Sequence, residues 1–353
     1  MAVFQKSKTM VFPKVGKISM VVFAVLLIGV VIWAFQTFGY IFNPNVVKDT
    51  VITIPTGASY GDVEKMLKEQ QVLENYKAFR WVAKKKNYKS SVKPGRYELK
   101  KGWNTNQVVN KLRSGVQDPL DVTFNNVRTF SELAGKVAAY LETDSISLLA
   151  EFMSDAVAQK YGFTKETFPA MFIPNTYELY WTTTPSQFIE RMKKEYDRFW
   201  SAERKNKANT LGINPLEVSI LASIVQEETN LNTDKPIIAG VYVNRLKRGM
   251  PLQACPTVKF ALGDFSIRRV TTEMTQTDSP YNTYRIAGLP PGPITFPDLS
   301  SINAVLNAQN HDYYYFSAKE DFSGHTTFAR TLTEHNRNAS RYQQALNEKK
   351  IWR

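Results

Sequence analysis

The sequence contains little of the chemistry that builds disulfide scaffolds or metal centres. Cys255 is the only cysteine among the 353 residues, so no intrachain disulfide can form and the fold must depend on its hydrophobic core. Only three histidines occur, His311, His325 and His335, and none has the spacing of an HExxH-like zinc site. We therefore expect neither a metal ion nor another cofactor.

Charge is absent from a long stretch near the N-terminus. Residues 18–47 contain no Asp, Glu, Lys or Arg, and the run ISMVVFAVLLIGVVIWAFQTFGYIF (18–42) exceeds the roughly 20 apolar residues that cross a bilayer. Four lysines precede it, which by the positive-inside rule keeps residues 1–17 in the cytoplasm. A cleaved signal peptide is the alternative, although the run is long for one and lacks a clear A-x-A cleavage site. The sequence thus predicts a single-pass inner-membrane protein with a periplasmic body.

Acidic residues are outnumbered, and the formal net charge is +13. Because an exported body does not meet nucleic acid, we expect no nucleic-acid partner and consider anionic wall polymers or lipid head groups instead. The positive charge is concentrated between Lys77 and Lys101, where Glu98 is the single acid. The basic residues inside this stretch include Arg80, Lys84, Lys85, Lys86, Lys89, Lys93 and Arg96. A solvated helix face is the alternative explanation for the stretch.

A strand–turn–helix pattern occurs three times after the apolar run, at residues 51–73, 95–115 and 120–141. The first two units suit a compact binding module over residues 46–118, with a boundary at 115–119. Residues 121–346 form a larger region of mixed composition. It contains predicted helices at Ser186–Trp200 and Leu332–Lys349, a buried aromatic strand at Asp312–Ala318 and a long proline-rich loop at Ser279–Ile294. The fold class is therefore α+β.

One helix in the larger region carries a carboxylate in an unusual place. Asn214 and Pro215 are typical of a helix start, and an apolar face follows from Leu216 to Val225. Glu228 projects near the middle of that apolar face, whereas Glu227 falls near its edge. Loss of hydration raises the pKa of a carboxyl group, which suits a general acid. The alternatives are that the helix frays at Glu228, or that a cation such as Arg245 pairs with it.

Four segments together resemble the endolytic murein transglycosylase (YceG-like) family: LASIVQEETN (221–230), VYVNRLKRGMPLQACPTVKFAL (241–262), YNTYRIAGLPPGPI (281–294) and HTTFARTLTEHN (325–336). The resemblance is ordered, covers about residues 50–346 and implies that Glu228 is the catalytic acid. It also implies a small LysM-like wall-binding module at 46–118 and a catalytic domain at 121–346. Two positions depart from the family pattern. Gln226 replaces a glutamate, and Cys255 replaces the aspartate of an Asp-Pro-Thr sequence; we expect Cys255 to be buried or packed in a loop, without a catalytic role.

The resemblance implies non-hydrolytic cleavage of the β-1,4 bond between N-acetylmuramic acid and N-acetylglucosamine, leaving 1,6-anhydro ends. A single carboxylate can serve this reaction, and the other acids considered, Asp234 and Asp264, both lie in turn-like contexts. The alternatives are a hydrolase of the same bond and a non-catalytic peptidoglycan-binding scaffold. Peptidoglycan glycan strands, the membrane and peptidoglycan synthases are the implied partners.

The proline-rich loop offers the flat rings, amides and hydroxyls that sugar recognition uses. We predict substrate contacts for six residues: Gln253, Tyr281, Asn282, Thr283, Tyr284 and His325. A packed loop with satisfied turn residues is the alternative for the loop, and structural packing is the alternative for His325.

Overall fold

A computed structural model describes residues 14–349, with side chains from Ile18 onward. The described chain divides into two compact units of mixed helix and strand. The first unit extends to Pro119 and includes Tyr180–Thr182, and the second comprises Leu120–Leu179 and the residues from Thr183 onward. Each unit has its own hydrophobic core.

The first unit begins with the long helix predicted from the apolar run. α1 (Lys14–Phe42) leaves the side chains from Ile18 to Gln36 exposed, and its segment Ile18–Phe42 has a mean hydropathy of 2.8. It is the one helix within residues 14–349 that is long and apolar enough by itself to cross a bilayer, which is consistent with a single-pass anchor.

Five further elements complete the first unit: β1 (Thr50–Ile54), α2 (Tyr60–Glu69), α3 (Tyr76–Lys85), β2 (Gly95–Leu99) and α4 (Thr105–Ser114). β1 and β2 pair antiparallel, with Thr50 opposite Leu99. Alternate strand residues, such as Ile52 and Tyr97, are buried against apolar residues of the helices. Capping boxes start α2 and α4, as their sequences favour. The first two strand–turn–helix repeats are therefore built as β1–α2 and β2–α4, while α3 was not predicted.

The second unit contains fourteen helices and strands in the described chain. They are β3 (Leu120–Phe124), α5 (Phe130–Ala138), α6 (Ser145–Phe152), α7 (Asp155–Lys160), β4 (Asn175–Leu179), α8 (Pro185–Phe199), α9 (Ala202–Leu211), α10 (Pro215–Glu228), α11 (Lys235–Lys247), α12 (Cys255–Leu262), α13 (Leu299–Leu306), β5 (Tyr315–Ala318), β6 (Thr326–Ala329) and α14 (Leu332–Glu348). The third repeat is built as β3–α5. β3 pairs antiparallel with β4, and β5 pairs antiparallel with β6.

Two hydrophobic clusters form the core of the second unit. One joins β3, β4 and α5–α8 through aromatic side chains such as Phe152, Phe172 and Phe188. The other surrounds α10, which packs against α9, α11, α12 and α13. This second cluster positions the end of α10, where Glu228 lies.

The predicted helices at 186–200 and 332–349 are confirmed within one residue at each end as α8 and α14. The aromatic strand is shorter than predicted: β5 starts only at Tyr315, and its residues are half-buried or exposed rather than buried. The prediction of a buried strand was wrong because β5 has a single partner strand, β6, and one side of this hairpin lines a cleft.

Candidate active site

Helix α10 begins as its sequence predicts. The Asn214 side chain accepts hydrogen bonds from the backbone N–H groups of Leu216 and Glu217, at 2.9 and 3.0 Å, and the Glu217 carboxylate accepts one from the Asn214 N–H at 2.7 Å. Pro215 occupies the first turn, where its missing N–H costs no hydrogen bond. The helix therefore has a fixed start, and its last residue is Glu228.

The rest of α10 differs from the predicted amphipathic helix, because it is buried on nearly all sides. Ser219 and Ser223, predicted on a polar face, are fully buried and donate their hydroxyls to backbone carbonyls. The Gln226 side chain accepts a 2.7 Å hydrogen bond from the Asp298 N–H and thereby ties α10 to the start of α13. Gln226 thus has a structural role.

Glu228 lies at the end of this buried helix and has a single hydrogen-bond partner among the described side chains. The hydroxyl of Tyr242, on α11, donates to Glu228 Oε1 at 2.7 Å. Burial raises the pKa of Glu228 to about 7, and the hydrogen bond from Tyr242 opposes part of that rise. No ion pair to Glu228 occurs among the residues described, so the cation pairing considered from the sequence is absent there. Glu228 can therefore hold a proton near neutral pH.

Glu228 faces a cleft of about 340 Å³ with a mixed polar and aromatic lining. The lining residues are Glu228, Arg245, Leu252, Gln253, Cys255, Tyr284, Tyr315, Phe316, Leu332 and His335. They come from α10, α11, the segment between α11 and α12, the α12 N-terminus, the proline-rich loop, β5 and α14. Glu228 is the only carboxylate in this lining. A carboxyl group that can hold a proton near neutral pH is therefore placed beside planar aromatic rings.

Arg245 supplies a fixed positive charge in the cleft. Its guanidinium donates to the backbone carbonyls of Tyr314, Pro251 and Leu252 at 2.6, 3.1 and 2.9 Å. It also donates to the Gln253 side-chain oxygen at 3.2 Å. These bonds replace the hydration of the buried side chain and hold the loop before α12 against α11. Because the guanidinium is bonded to neutral oxygens, its charge is not cancelled by a carboxylate.

Two of the predicted substrate-binding residues lie in the cleft with Glu228. Gln253 is exposed and adopts a positive φ of 52°, with its N–H donating to the Thr283 carbonyl at 2.9 Å. The Tyr284 hydroxyl lies 3.1 Å from the Cys255 sulfur, and burial raises the pKa of Tyr284 above its usual value. The structure therefore brings both side chains to the same surface as the carboxyl group.

Three residues of the proline-rich loop have other surroundings. Asn282 is fully buried, and its amide donates to the Thr275 and Thr277 carbonyls at 3.0 and 2.7 Å. Thr283 is also fully buried and bonds to the Thr257 hydroxyl at 2.8 Å. Tyr281 packs on Phe260, with ring centroids 4.6 Å apart. None of the three lies in the lining of the Glu228 cleft, and the substrate contacts predicted for them stay predictions. Their side chains shape the loop, as in the packed-loop alternative.

His325 also lies outside the lining of the cleft. Its Nδ1 is 3.1 Å from the Asp234 carboxylate, which accepts a second bond from the Thr326 N–H at 2.8 Å. This pair links the start of α11 to β6. The His325 side chain is about half exposed and is held by Asp234, and its predicted substrate contact stays a prediction.

Cys255 corrects another expectation, because it is exposed at the start of α12 and lines the cleft, rather than being buried or packed in a loop. The reason lies in the neighbouring Pro256 and Thr257, which are buried and turn the preceding residue outward. Although Cys255 is exposed, the cleft walls remove part of the hydration of its thiol and raise the pKa, so the sulfur is a neutral hydrogen-bond partner of Tyr284.

The sequence reasoning missed Tyr242, Tyr315 and His335. His335 stacks on Tyr315, with centroids 5.5 Å apart, and its buried Nδ1 has no hydrogen-bond partner. Burial and the nearby charge of Arg245 lower the pKa of His335, which keeps the ring neutral. The sequence did give one indication of these residues, because Tyr242 and His335 lie in two of the four segments that resemble the family. Helical periodicity alone, however, does not show that α11 and α14 face the same cleft.

Glu227 faces a different cleft, of about 570 Å³, lined by Arg128 and Glu132 among other polar residues. Its carboxylate forms a 2.7 Å ion pair with Arg128, whose guanidinium also lies 4.6 Å from the Phe265 ring. The sequence placed Glu227 at a solvated edge, but the side chain is largely covered and paired. No group of three or more potential metal ligands is present within residues 14–349.

The cleft of the second unit has one carboxyl group in its lining, and this group can be protonated near neutral pH. Such a polar and aromatic cleft is typical of enzymes that use acid–base catalysis. Comparison with known proteins gives the family. The YceG-like family matches residues 52–341. The chain belongs to this family.

Individual relatives agree with this assignment. An endolytic murein transglycosylase of Bacillus subtilis is 31% identical over 323 residues, which cover 86% of this chain and 87% of the relative. One of Streptococcus pneumoniae is 29% identical over 332 residues, covering 85% of this chain and 59% of the relative. The crystal structure of a YceG-like protein from Listeria monocytogenes superposes with a TM-score of 0.54 at 29% identity, covering 82% of this chain and 99% of that one.

Proposed function

We propose that the protein is a membrane-anchored endolytic lytic transglycosylase, a lyase that cuts the glycan strands of peptidoglycan internally. The names of its relatives supply the reaction class. One observation supports Glu228 as the catalytic residue. Its carboxyl group has a pKa raised to about 7, and the cleft lining contains no other carboxylate.

The proposed reaction breaks the β-1,4 bond between N-acetylmuramic acid and N-acetylglucosamine. Protonated Glu228 donates its proton to the bridging oxygen, which leaves with the N-acetylglucosamine as its 4-hydroxyl. The substrate's acetamido group stabilises the positive charge that develops at the anomeric carbon. The Glu228 carboxylate then removes the proton of the muramyl 6-hydroxyl while that oxygen attacks the anomeric carbon. A 1,6-anhydro end forms, no water is consumed, and Glu228 regains its proton.

The surroundings of Glu228 suit both halves of this cycle. Burial favours the protonated form that the first step needs, whereas the Tyr242 hydroxyl bond stabilises the carboxylate that the second step needs. A pKa near the working pH lets one group act in turn as acid and base. Gln253 and Tyr284 are the predicted residues that remain candidates for sugar contacts, and Arg245 holds Gln253 in place.

The anchor and the first unit complete the proposal. Residues 18–42 would cross the inner membrane with residues 1–17 in the cytoplasm, residues 46–118 would act as a LysM-like wall-binding module, and residues 121–346 would form the catalytic domain. The long apolar helix and the antiparallel pair of β1 and β2 with its three helices support this division. Such a protein would act on nascent strands close to the membrane and end their elongation, alongside peptidoglycan synthases.

The test is digestion of purified sacculi with the protein, followed by mass spectrometry of the new ends. A transglycosylase leaves an anhydro end that is lighter by one water than a hydrolysed end. Incorporation of ¹⁸O from labelled water would contradict the proposal and identify a hydrolase.

A second test separates catalysis from binding. If the purified protein and its Glu228→Gln variant both leave sacculi uncut while binding them equally, a scaffold role replaces the enzymatic one.

A further inference from the structure

The last turns of α1 pack directly on the small unit, without a flexible linker. Ile41 packs against the core of that unit, and the Tyr40 ring lies 6.2 Å from the Trp81 ring of α3. Just beyond the helix, the Asn45 N–H donates to the Trp103 carbonyl at 2.8 Å, and the Asn45 amide donates to Thr105 at 2.9 Å. The position of α3 relative to the end of α1 is therefore fixed.

The sequence of α1 gives the depth of this contact in a bilayer. From Ile18 to Phe35 the side chains are apolar apart from Ser19 and Trp33. At 1.5 Å per residue this stretch spans about 27 Å, close to the roughly 30 Å of a hydrocarbon core. Gln36 carries the first amide, so residues 36–43 emerge at the level of the lipid head groups.

Helix α3 lies beside these emerging residues. A cleft of about 530 Å³ is lined by Gln36, Gly39 and Asn43 from α1 and its end, and by Asn75 and Ala78 at the start of α3. α3 and the head groups are thus at the same height along the anchor.

One face of α3 carries lysines around a tryptophan. Lys77, Lys84 and Lys85 lie three or four positions from Trp81, which places all four side chains on one side of the helix. The lysines are exposed, the Lys85 ammonium lies 5.7 Å from the Trp81 ring, and none of the three forms an ion pair within residues 14–349. Arg80 differs, because it pairs with Glu64 of α2 at 3.0 Å.

We propose that this face, formed by Lys77, Trp81, Lys84 and Lys85, rests on the anionic lipid head groups of the membrane that α1 crosses. The inference rests on the proposed membrane anchorage and adds a second, electrostatic attachment to it. Unpaired lysines are attracted to the phosphate-bearing surface, and a tryptophan ring favours the interface. The contact holds the small unit flat on the bilayer, so wall polymer must reach it from its other sides.

The test uses the full chain in nanodiscs of phosphatidylcholine, with or without 30% phosphatidylglycerol. A water-soluble acylating reagent labels lysines, and peptide mass spectrometry reads each site. We expect labelling of Lys77, Lys84 and Lys85 to slow roughly fivefold in the anionic discs. Lys65 of α2 and Lys205 of α9, both exposed, serve as internal controls and should be unaffected.

A charge-removal variant gives an independent readout. In anionic discs, amide hydrogen exchange across Tyr76–Lys85 should be slower than in neutral discs, and the triple substitution K77Q/K84Q/K85Q should abolish the difference. The matched control K65Q/K68Q/K89Q removes the same charge from the small unit outside α3 and should retain the difference.

Each other outcome has a definite meaning. Equal labelling and equal exchange in both discs would overturn the proposal while leaving the anchorage intact. Protection that arises in neutral discs only after anionic wall polymer is added would assign the face to that polymer. A chain that does not remain with the discs would refute the anchorage itself.

Discussion

Glu227 and Glu228 are neighbours in the chain, yet they face two different clefts at the end of α10. Glu227 is held by an ion pair of 2.7 Å with Arg128, whereas Glu228 lines a polar and aromatic cleft and has one hydroxyl donor, Tyr242. The first arrangement fixes the position of a carboxylate. The second makes its protonation state sensitive to pH near 7. Two adjacent residues of a buried helix therefore differ in their surroundings: one carboxylate is held in an ion pair, and burial raises the pKa of the other.

The largest expected effect distinguishes the two carboxylates by activity. Glu228→Gln preserves shape and hydrogen bonding but cannot transfer a proton, so cleavage of sacculi should fall about 10²- to 10⁴-fold. Glu227→Gln is the matched control and should retain cleavage within about twofold of the parent, because its side chain faces the other cleft. Equal activities for the parent and Glu228→Gln would remove Glu228 from the mechanism.

The next effect concerns stability. The folded-state pKa of Glu228 is raised from 4.5 to about 7, so the folded state favours the protonated form. Its contribution to stability is complete below pH 4.5 and is lost as the pH rises through about 7. From pH 4 to pH 8 the parent should lose about 3 kcal/mol of unfolding free energy relative to Glu228→Gln. Denaturant unfolding of both proteins in detergent measures this difference, and parallel pH profiles would contradict the raised pKa.

A smaller effect is expected from Tyr242→Phe. This change removes the 2.7 Å hydrogen bond that favours the ionised carboxylate, so the pKa of Glu228 should rise further. The alkaline limb of the pH–activity profile should move up by about one unit. Tyr281→Phe, which alters a tyrosine outside the cleft, is the control. An unchanged profile in Tyr242→Phe would mean that another group sets the limb.

The smallest expected effect is the loss of unfolding free energy when the Glu227–Arg128 ion pair is removed. Because both side chains are partly exposed, Glu227→Gln should cost about 1 kcal/mol or less of unfolding free energy. Arg128→Gln should cost a similar amount, and the double variant should cost less than the sum of the two. Strict additivity would show that the pair contributes nothing to stability.

Local sequence patterns predicted many of the helices and strands. The capping residues Asn214 and Glu217 start α10 where predicted, because a cap depends on side chains within three residues of each other. The strand–turn–helix pattern likewise predicted β1–α2 and β2–α4, and the strand residues Ile52 and Tyr97 are buried in the core of the first unit. The same reasoning failed for the polar side of α10. Ser219 and Ser223 satisfy their hydroxyls on nearby backbone carbonyls and can therefore be buried, which periodicity of hydrophobicity does not reveal.

The substrate loop illustrates the other limit. Composition correctly indicated a structured loop between residues 279 and 294, and it offered four neighbouring polar or aromatic side chains as candidates. Of these, Tyr284 reaches the cleft, whereas Asn282 and Thr283 are consumed by hydrogen bonds inside the loop. The residue type determines which hydrogen bonds a side chain can form. The path of the backbone determines whether those bonds are made within the protein or remain free for a substrate.

By itself, the sequence determined the long apolar helix, the local starts of the helices and the position of Glu228 on an apolar helix, since each depends on nearby residues or on composition. Only the tertiary structure decided that Tyr242 bonds to the Glu228 carboxyl group, that Arg245, Gln253 and His335 share its cleft, and that Asn282, Thr283 and His325 do not. These side chains come from segments up to about a hundred residues apart, and packing between helices, rather than any local preference, sets the distances that their chemistry requires.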